Sequence, residues 1–349
     1  RSRARAAPPA DGRTSQCEPA LRQSRTRTRP ASLQSGFDSF PPPRPVSTAL
    51  QNTPSSRRLF LTGLLLAMLG SVLFSAKGVV VKLHYRHYVD AMTVLALRML
   101  FSLPFFALVA WLQMRRSAPL PAADRFRIVL LGVVGYYLSS YLDFLGLQYI
   151  SAGLERLILF LTPSFVLLMS VYWLKRSVGR IEWLALAICY GGTVLVFVHD
   201  AQAGSANVWL GGVFVLGSAV FYALYLLLSG ELVRRVGSLR LVSYVMCVST
   251  VMSIGQFLVL RPASALLQSP EVYRLSLLNA LLCTVLPVFV TMMGIARVGA
   301  PVASLAGMIG PVSVLFLAAW LLGEPVTPIQ LAGTALVLSG IWLLSTKKA

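Results

Sequence analysis

The chain predicts an all-α polytopic membrane protein, with ten transmembrane helices arranged as two inverted five-helix repeats. Three observations carry this. Of 349 residues, 56% are hydrophobic and only 12% charged, a balance foreign to a soluble domain and suited to a bilayer. At an offset of 148 residues the second half falls on the first without a gap: Gly146, Ala152, Pro163, Leu174, Ile181 and Gly192 meet Gly294, Ala300, Pro311, Leu322, Ile329 and Gly340. Finally, the basic residues of the apolar region gather in alternate loops.

A helix crossing the hydrocarbon core needs roughly 20 apolar residues. Ten segments qualify: 59–81, 91–112, 128–147, 154–174, 181–198, 209–230, 241–260, 275–296, 301–322 and 328–345. The fourth and fifth, like the ninth and tenth, are joined by very short turns and must form antiparallel hairpins. Residues 59–198 make the first repeat and 209–345 the second. Residues 1–58 are rich in Arg, Ser, Pro, Gln and Ala and poor in aliphatic residues, so this basic tail is expected to be disordered. No methionine precedes Met68, and much of the tail is expected to be an upstream extension of the gene, with a start near Val46. An organellar transit peptide has a similar Arg- and Ser-rich composition.

Cytoplasmic loops carry the excess of Lys and Arg. With the N-terminus inside, thirteen basic residues fall in interior loops, among them Arg115, Arg116, Lys175, Arg176, Arg234, Arg235 and Arg240; four, Lys82, Arg86, Arg261 and Arg274, fall outside. Both ends are therefore expected in the cytoplasm, at a bacterial inner membrane. Five helices per repeat is an odd number, so the second repeat must be inverted. The turns agree: Lys175 and Arg176 in the first hairpin correspond to Gly323 and Glu324 in the second.

Duplicated hydrophobic bundles are the pattern of carriers with a solute site where the repeats meet. Movement of a small molecule by alternating access is thus the leading expectation. The net charge of +19 suggests nucleic acid, but eleven of the 31 basic residues lie in the tail and most others in short loops, so no basic stripe exists on a soluble fold. The four cysteines are scattered, and His84 and His87 share an exterior loop with no further ligand nearby, so no metal or cofactor is expected. No HExxH, GxSxG or Walker-type loop occurs, which argues against an enzyme or a nucleotide-driven pump. A non-transporting receptor or scaffold is the remaining alternative.

Charges inside apolar helices are costly and usually face a cavity or a partner. Lys77, Arg98, Asp143, Glu155 and Arg156 all fall in the outer third, roughly 6 to 10 Å deep at 1.5 Å per residue. Their equivalents in the second repeat are Tyr225, Met246, Thr291, Ala303 and Ser304, so the fold itself does not require the charges. Two readings stand: a fixed ion-pair network, or a site in which Arg98, Arg156 or Lys77 attracts a carboxylate while Asp143 or Glu155 takes an ammonium or a coupling proton. Lys77 could also snorkel. Tyr137, Tyr222 and Tyr225 are pocket candidates, whereas Trp320 is expected in the interfacial belt. Pro163 and Pro311 at equivalent mid-helix places, with Pro287 in the eighth segment, are expected to bend helices around a central cavity. Ser75, Ser140, Gly307 and Gly310 should permit close helix contact.

The run Leu322–Gly333 (LGEPVTPIQLAG), followed by Leu338–Gly340 (LSG), resembles the carboxy-terminal signature of EamA-type members of the drug/metabolite transporter superfamily. Gly299–Ala303 (GAPVA) through Gly310 and Pro311 fits the same pattern, and Tyr149–Leu154 (YISAGL) with Pro163 is similar in the first repeat. Arg176 departs from the acidic residue often found in the first-repeat turn. The resemblance spans about residues 59–345 and implies ten helices, a central cavity lined by both repeats, and secondary rather than ATP-driven transport. Such families include exporters and importers of amino acids, other metabolites and drugs; export of a small metabolite, an amino acid or related compound, is the expectation, with drug efflux the alternative. Substrate, coupling ion and oligomeric state stay open.

Overall fold

The computed structural model describes residues 54–174, 179–202 and 207–346. The expectations for residues 1–53, and for Lys175 and Arg176 in the first hairpin turn, lie outside the described residues. The helices are α1 (Pro54–Tyr85), α2 (Ala91–Arg116), α3 (Ala122–Leu131), α4 (Ser139–Gly146), α5 (Ala152–Leu159), α6 (Thr162–Leu174), α7 (Arg180–Gln202), α8 (Val208–Val236), α9 (Ser238–Leu260), α10 (Pro270–Ala280), α11 (Leu286–Ala306), α12 (Ile309–Leu322) and α13 (Pro328–Thr346). Among the described residues, eight helical spans are long and apolar enough to cross a membrane, with two shorter apolar helices, Ile309–Leu322 and Pro328–Leu343, behind them. The ten crossings of the sequence reading are thus present.

The structure refines several of them. α1 begins at Pro54 and runs on to Tyr85, so His84 is not in a loop. It is buried in the last turn of α1, its Nδ1 2.8 Å from the Val80 carbonyl and its Nε2 3.0 Å from Ser276 Oγ. A π-helical turn, Gly132–Leu138, joins α3 to α4, and another, Leu281–Val285, joins α10 to α11. The two coincide at the 148-residue offset. In the second, Pro287 lacks the N–H that Cys283 O would accept, which favours the wider turn just before it.

The chain reverses within the residues spanned by α11. Gly63 faces Arg297 and Val298, whereas Ser71, two turns further along α1, donates to the Gly307 carbonyl at 2.7 Å. The chain therefore turns back between Val298 and Ala303, where the sequence separates its eighth and ninth segments.

Both α5–α6 and α11–α12 are broken helices. The interruptions, at residues 160–161 and 307–308, lie at equivalent places. Each follows from a proline: Pro163 leaves Leu159 O without its helical donor, and Pro311 does the same to Gly307 O. A hydroxyl meets each exposed carbonyl, Thr162 Oγ1 at 2.6 Å from Leu159 O and Ser71 Oγ at 2.7 Å from Gly307 O. Inside a bilayer such replacement is obligatory, because no lipid group can donate.

Helix pairing reveals the symmetry. α2 packs on α9 and α7 on α13, each pair uniting a helix with its own repeat equivalent. α1 packs on α11 as α8 packs on α4. A Cβ on Gly294 would lie 3.0 Å from Gly63 O, and one on Gly146 would lie 2.8 Å from Gly211 O, two contacts exchanged by the offset. Along α7 and α13, Ala185 meets Gly340 while Gly192 meets Gly333, so the two run antiparallel. Cys189 Sγ lies 3.6 Å from the carbonyl of Val337, its own equivalent. A twofold axis across the helices must pass there, which makes the repeats inverted. Small residues let these backbones approach where no hydrophobic drive exists between helices. Leu65, Trp209, Val213, Val251 and Trp320 point outward, as lipid-facing residues must.

Candidate functional site

A cavity of about 270 Å³ lies between the repeats, bounded by Lys77 (α1), Arg98 (α2), Asp143 (α4), Arg156 (α5), Tyr222 (α8) and Met246 (α9). A second, of about 360 Å³, shares Phe74, Tyr136, Arg156, Phe160, Pro163 and Tyr222 with the first. It continues past Ser71 to Ala67 of α1 and reaches Thr291, Ala303 and Met308 of the second repeat. The hollow therefore extends along α1 toward its N-terminal end, and both repeats wall it.

The five charges that the sequence singles out converge at its upper end. Lys77 Nζ lies 2.5 Å from Asp143 Oδ2 and 3.6 Å from Glu155 Oε1. Lys77 is thus bound to both acids rather than snorkelling to the surface. Gly78 makes room for the second acid: a Cβ there would sit 3.1 Å from Glu155 Oε2. Glu155 lies against α1 at that point and is absent from the walls of both cavities, whereas Asp143 faces the first. Arg98 stacks on Phe144 with its Cζ 4.8 Å from the ring centre, and Arg156 lies over Phe160 and Phe74 at 5.0 and 5.3 Å. Stacking on ring faces offsets part of the cost of burying a guanidinium. It does not fill the donors: Arg98 Nε and Nη2 and Arg156 Nε have no hydrogen-bond partner among the described residues. Asp143 Oδ1 and both Glu155 oxygens are likewise without hydrogen bonds.

Tyrosines form the facing wall. Tyr136 meets Tyr222 and Tyr225 edge to face at 6.2 and 5.2 Å, and Tyr222 stacks on Tyr225 at 5.7 Å. Tyr222 reaches both cavities, but Tyr225 is buried behind it. Tyr136, rather than the expected Tyr137, takes the cavity position. Tyr136 shares one helix face with Ser139, Ser140 and Asp143, which line the same cavity at i+3, i+4 and i+7, and Tyr137 lies off that face. Pro163 lines both cavities and Pro287 the second, while Pro311 is buried beside Gly310 and touches neither. Ser75 and Gly310 do pack closely: a Cβ on the glycine would lie 2.7 Å from the serine hydroxyl. Phe74, Phe144 and Phe160 were missed from sequence, although ring and cation at i, i+3 (Phe74, Lys77) and i, i+4 (Arg156, Phe160) were a readable signal.

At the C-terminal end of α1, polar contacts join the two repeats. Glu324 accepts from Lys82 Nζ at 2.8 Å and from the Ala152 amide, at the start of α5, at 3.3 Å. Lys82 also donates to Ile150 O at 2.9 Å, and Arg86 caps the carbonyls of Leu321 and Leu322 at the end of α12. These contacts tie the second-repeat hairpin turn to the first repeat across one face of the protein.

The sequence profile of the EamA-like transporter family matches residues 61–198 and, a second time, residues 209–346. This chain belongs to the EamA-like transporter family. The uncharacterized transporter YcbK of Bacillus subtilis is 31% identical over 282 residues, covering 78% of this chain and 88% of YcbK. An uncharacterized transporter of Synechocystis is 22% identical over 312 residues, 82% of this chain and 94% of the relative. One solved protein structure superimposes with a TM-score of 0.53 over 83% of this chain and 96% of its own length; at 14% identity that likeness concerns the fold alone. As an EamA-like protein, the chain is a multi-pass membrane transporter.

Proposed function

We propose that this EamA-like protein is a secondary-active carrier that exports a small metabolite, an amino acid or related compound, across a bacterial inner membrane by alternating access. One observation supports this above the rest: Arg98 and Arg156, at least nine-tenths buried and each with a donor that lacks a hydrogen-bond partner among the described residues, line a hollow enclosed by two inverted repeats. Buried charge without a partner is expensive, so it persists where a ligand completes it. With both termini cytoplasmic, as the basic loops favour, the hollow extends toward the cytosol while Lys82 and Glu324 close the outer face. That arrangement corresponds to a carrier waiting for cytosolic cargo. Glu155, which forms a salt bridge with Lys77, is the residue through which a proton would couple to transport. A drug efflux carrier of the same fold is the second reading, and the aromatic walls favour it.

Counterflow in proteoliposomes tests the proposal. Wild-type protein is expected to exchange at least one member of a metabolite panel. Arg98→Ala should lower that exchange at least about tenfold, since a charge-assisted hydrogen bond contributes about 1.5–3 kcal/mol. Glu155→Gln should reduce uptake driven by a pH gradient more than it reduces exchange. If no panel member moves, the carrier reading fails; if both variants leave flux intact in a folded protein, the charged cluster is structural.

A further inference from the structure

The carrier reading admits amino acids and related compounds whether zwitterionic or singly charged, and the cavity narrows that range. Three cations, Lys77, Arg98 and Arg156, face two acids, Asp143 and Glu155, so the buried cluster carries one excess positive charge when all are ionised. The pairing is lopsided. Lys77 takes both acids, Asp143 at 2.5 Å and Glu155 at 3.6 Å, and Glu155 is turned away from the hollow against Gly78. Of the charges that line the hollow, Lys77 and Asp143 are bonded to each other, which leaves the two guanidinium groups as the cations without a salt bridge among the described residues. Arg156 lines both cavities, and its Nε has no hydrogen-bond partner among the described residues; Arg98 lines the first, with Nε and Nη2 in the same condition.

Resting on the carrier reading, we infer that the cargo is an organic monoanion: a carboxylate held by Arg156 and Arg98, on an apolar body seated against the aromatic walls. A carboxylate fits the planar guanidinium fork, and its single charge cancels the excess that the protein leaves uncompensated. A phosphate monoester would bring more negative charge than the cluster balances. An amine would meet two arginines and an Asp143 already held by Lys77. The body's seat is given by Phe160, Tyr136 and Tyr222, which line both cavities together with Arg156.

Equilibrium binding to the purified full chain in nanodiscs tests this without requiring flux. The probes are aromatic and aliphatic monocarboxylates, headed by 3-phenylpropanoate, against the matched amide 3-phenylpropanamide, the amine 3-phenylpropylamine and the zwitterion L-phenylalanine. At least one carboxylate is expected to bind tenfold or more tightly than its amide and amine, and more tightly than the zwitterion. Arg156→Gln should abolish that preference and Arg156→Lys should restore part of it, with thermal unfolding confirming that both variants fold. Arg98→Gln gives the same comparison should Arg156→Gln not fold. Stronger binding of the amine or zwitterion, equal binding of the amide, or no binding by any carboxylate overturns the inference. Exchange of amines or zwitterions in proteoliposomes sinks it while sparing the carrier reading; carboxylate binding without exchange of any solute does the reverse.

Discussion

At the scale of single residues, Lys77 is the keystone of the buried cluster. Removing one partner of a buried ion pair leaves a desolvated charge and costs about 3–5 kcal/mol, far more than the intact pair contributes. Lys77→Met strands two acids at once, Asp143 and Glu155, and should lower thermal stability sharply. Adding Asp143→Asn to Lys77→Met should recover much of the loss, because the double variant removes a charge from each side. A double-mutant cycle followed by thermal unfolding reads this directly. If Lys77→Met melted like wild type, the 2.5 Å pair would not be holding these helices together.

At the scale of elements, contacts between glycine-bearing helices set the packing, and the fold discriminates between neighbouring glycines. A Cβ on Gly340 would come within 2.5 Å of Cys189 Sγ and 2.8 Å of the Ala185 carbonyl, so α13 would have to back away from α7. Gly340→Ala should therefore destabilise by about 1–3 kcal/mol, the usual cost of overpacking. Gly191 faces nothing within 4 Å, and Gly191→Ala should be neutral or mildly stabilising. Thermal unfolding of the two variants side by side checks the α7–α13 crossing, since the same substitution made on two glycines of one fold must give opposite results. The broken helices belong to this scale too. Pro163 and Pro311 were readable as bends, but which hydroxyl would take over each freed carbonyl was not. Thr162 is local to its break, whereas Ser71 comes from a helix 236 residues away in sequence.

For the whole molecule, the clamp of Lys82, Glu324 and the Ala152 amide bridges the two repeats on one face only. Alternating access requires that face to open by rocking one repeat against the other. Glu324→Gln should shift the population toward the state open there. The check is a Ser140→Cys reporter on the cavity wall, in a background without native cysteines, probed from outside with a membrane-impermeant thiol reagent. Labelling is expected to rise in Glu324→Gln; unchanged labelling would remove the clamp from the gating scheme. The same reagent tests orientation, since Glu324→Cys should react from outside and Arg116→Cys only from inside.

Spans, duplication and inversion could all be read from the one-dimensional pattern, because a bilayer demands long apolar runs and an odd-numbered repeat can only re-enter upside down. The charged cluster was legible for the same reason: an ion in an apolar helix has few places to go. Its wiring was not. Sequence left Lys77 free to snorkel and treated Asp143 and Glu155 alike, whereas packing gave Lys77 to both acids and set Glu155 behind α1. Tyr136 in place of Tyr137 was legible, since Tyr136 falls on one helix face with Ser139, Ser140 and Asp143. Solvent preference is a property of each segment and survives in its composition; which atoms meet across 66 to 236 residues depends on helix rotation and close approach, and those exist only once the repeats have closed on each other.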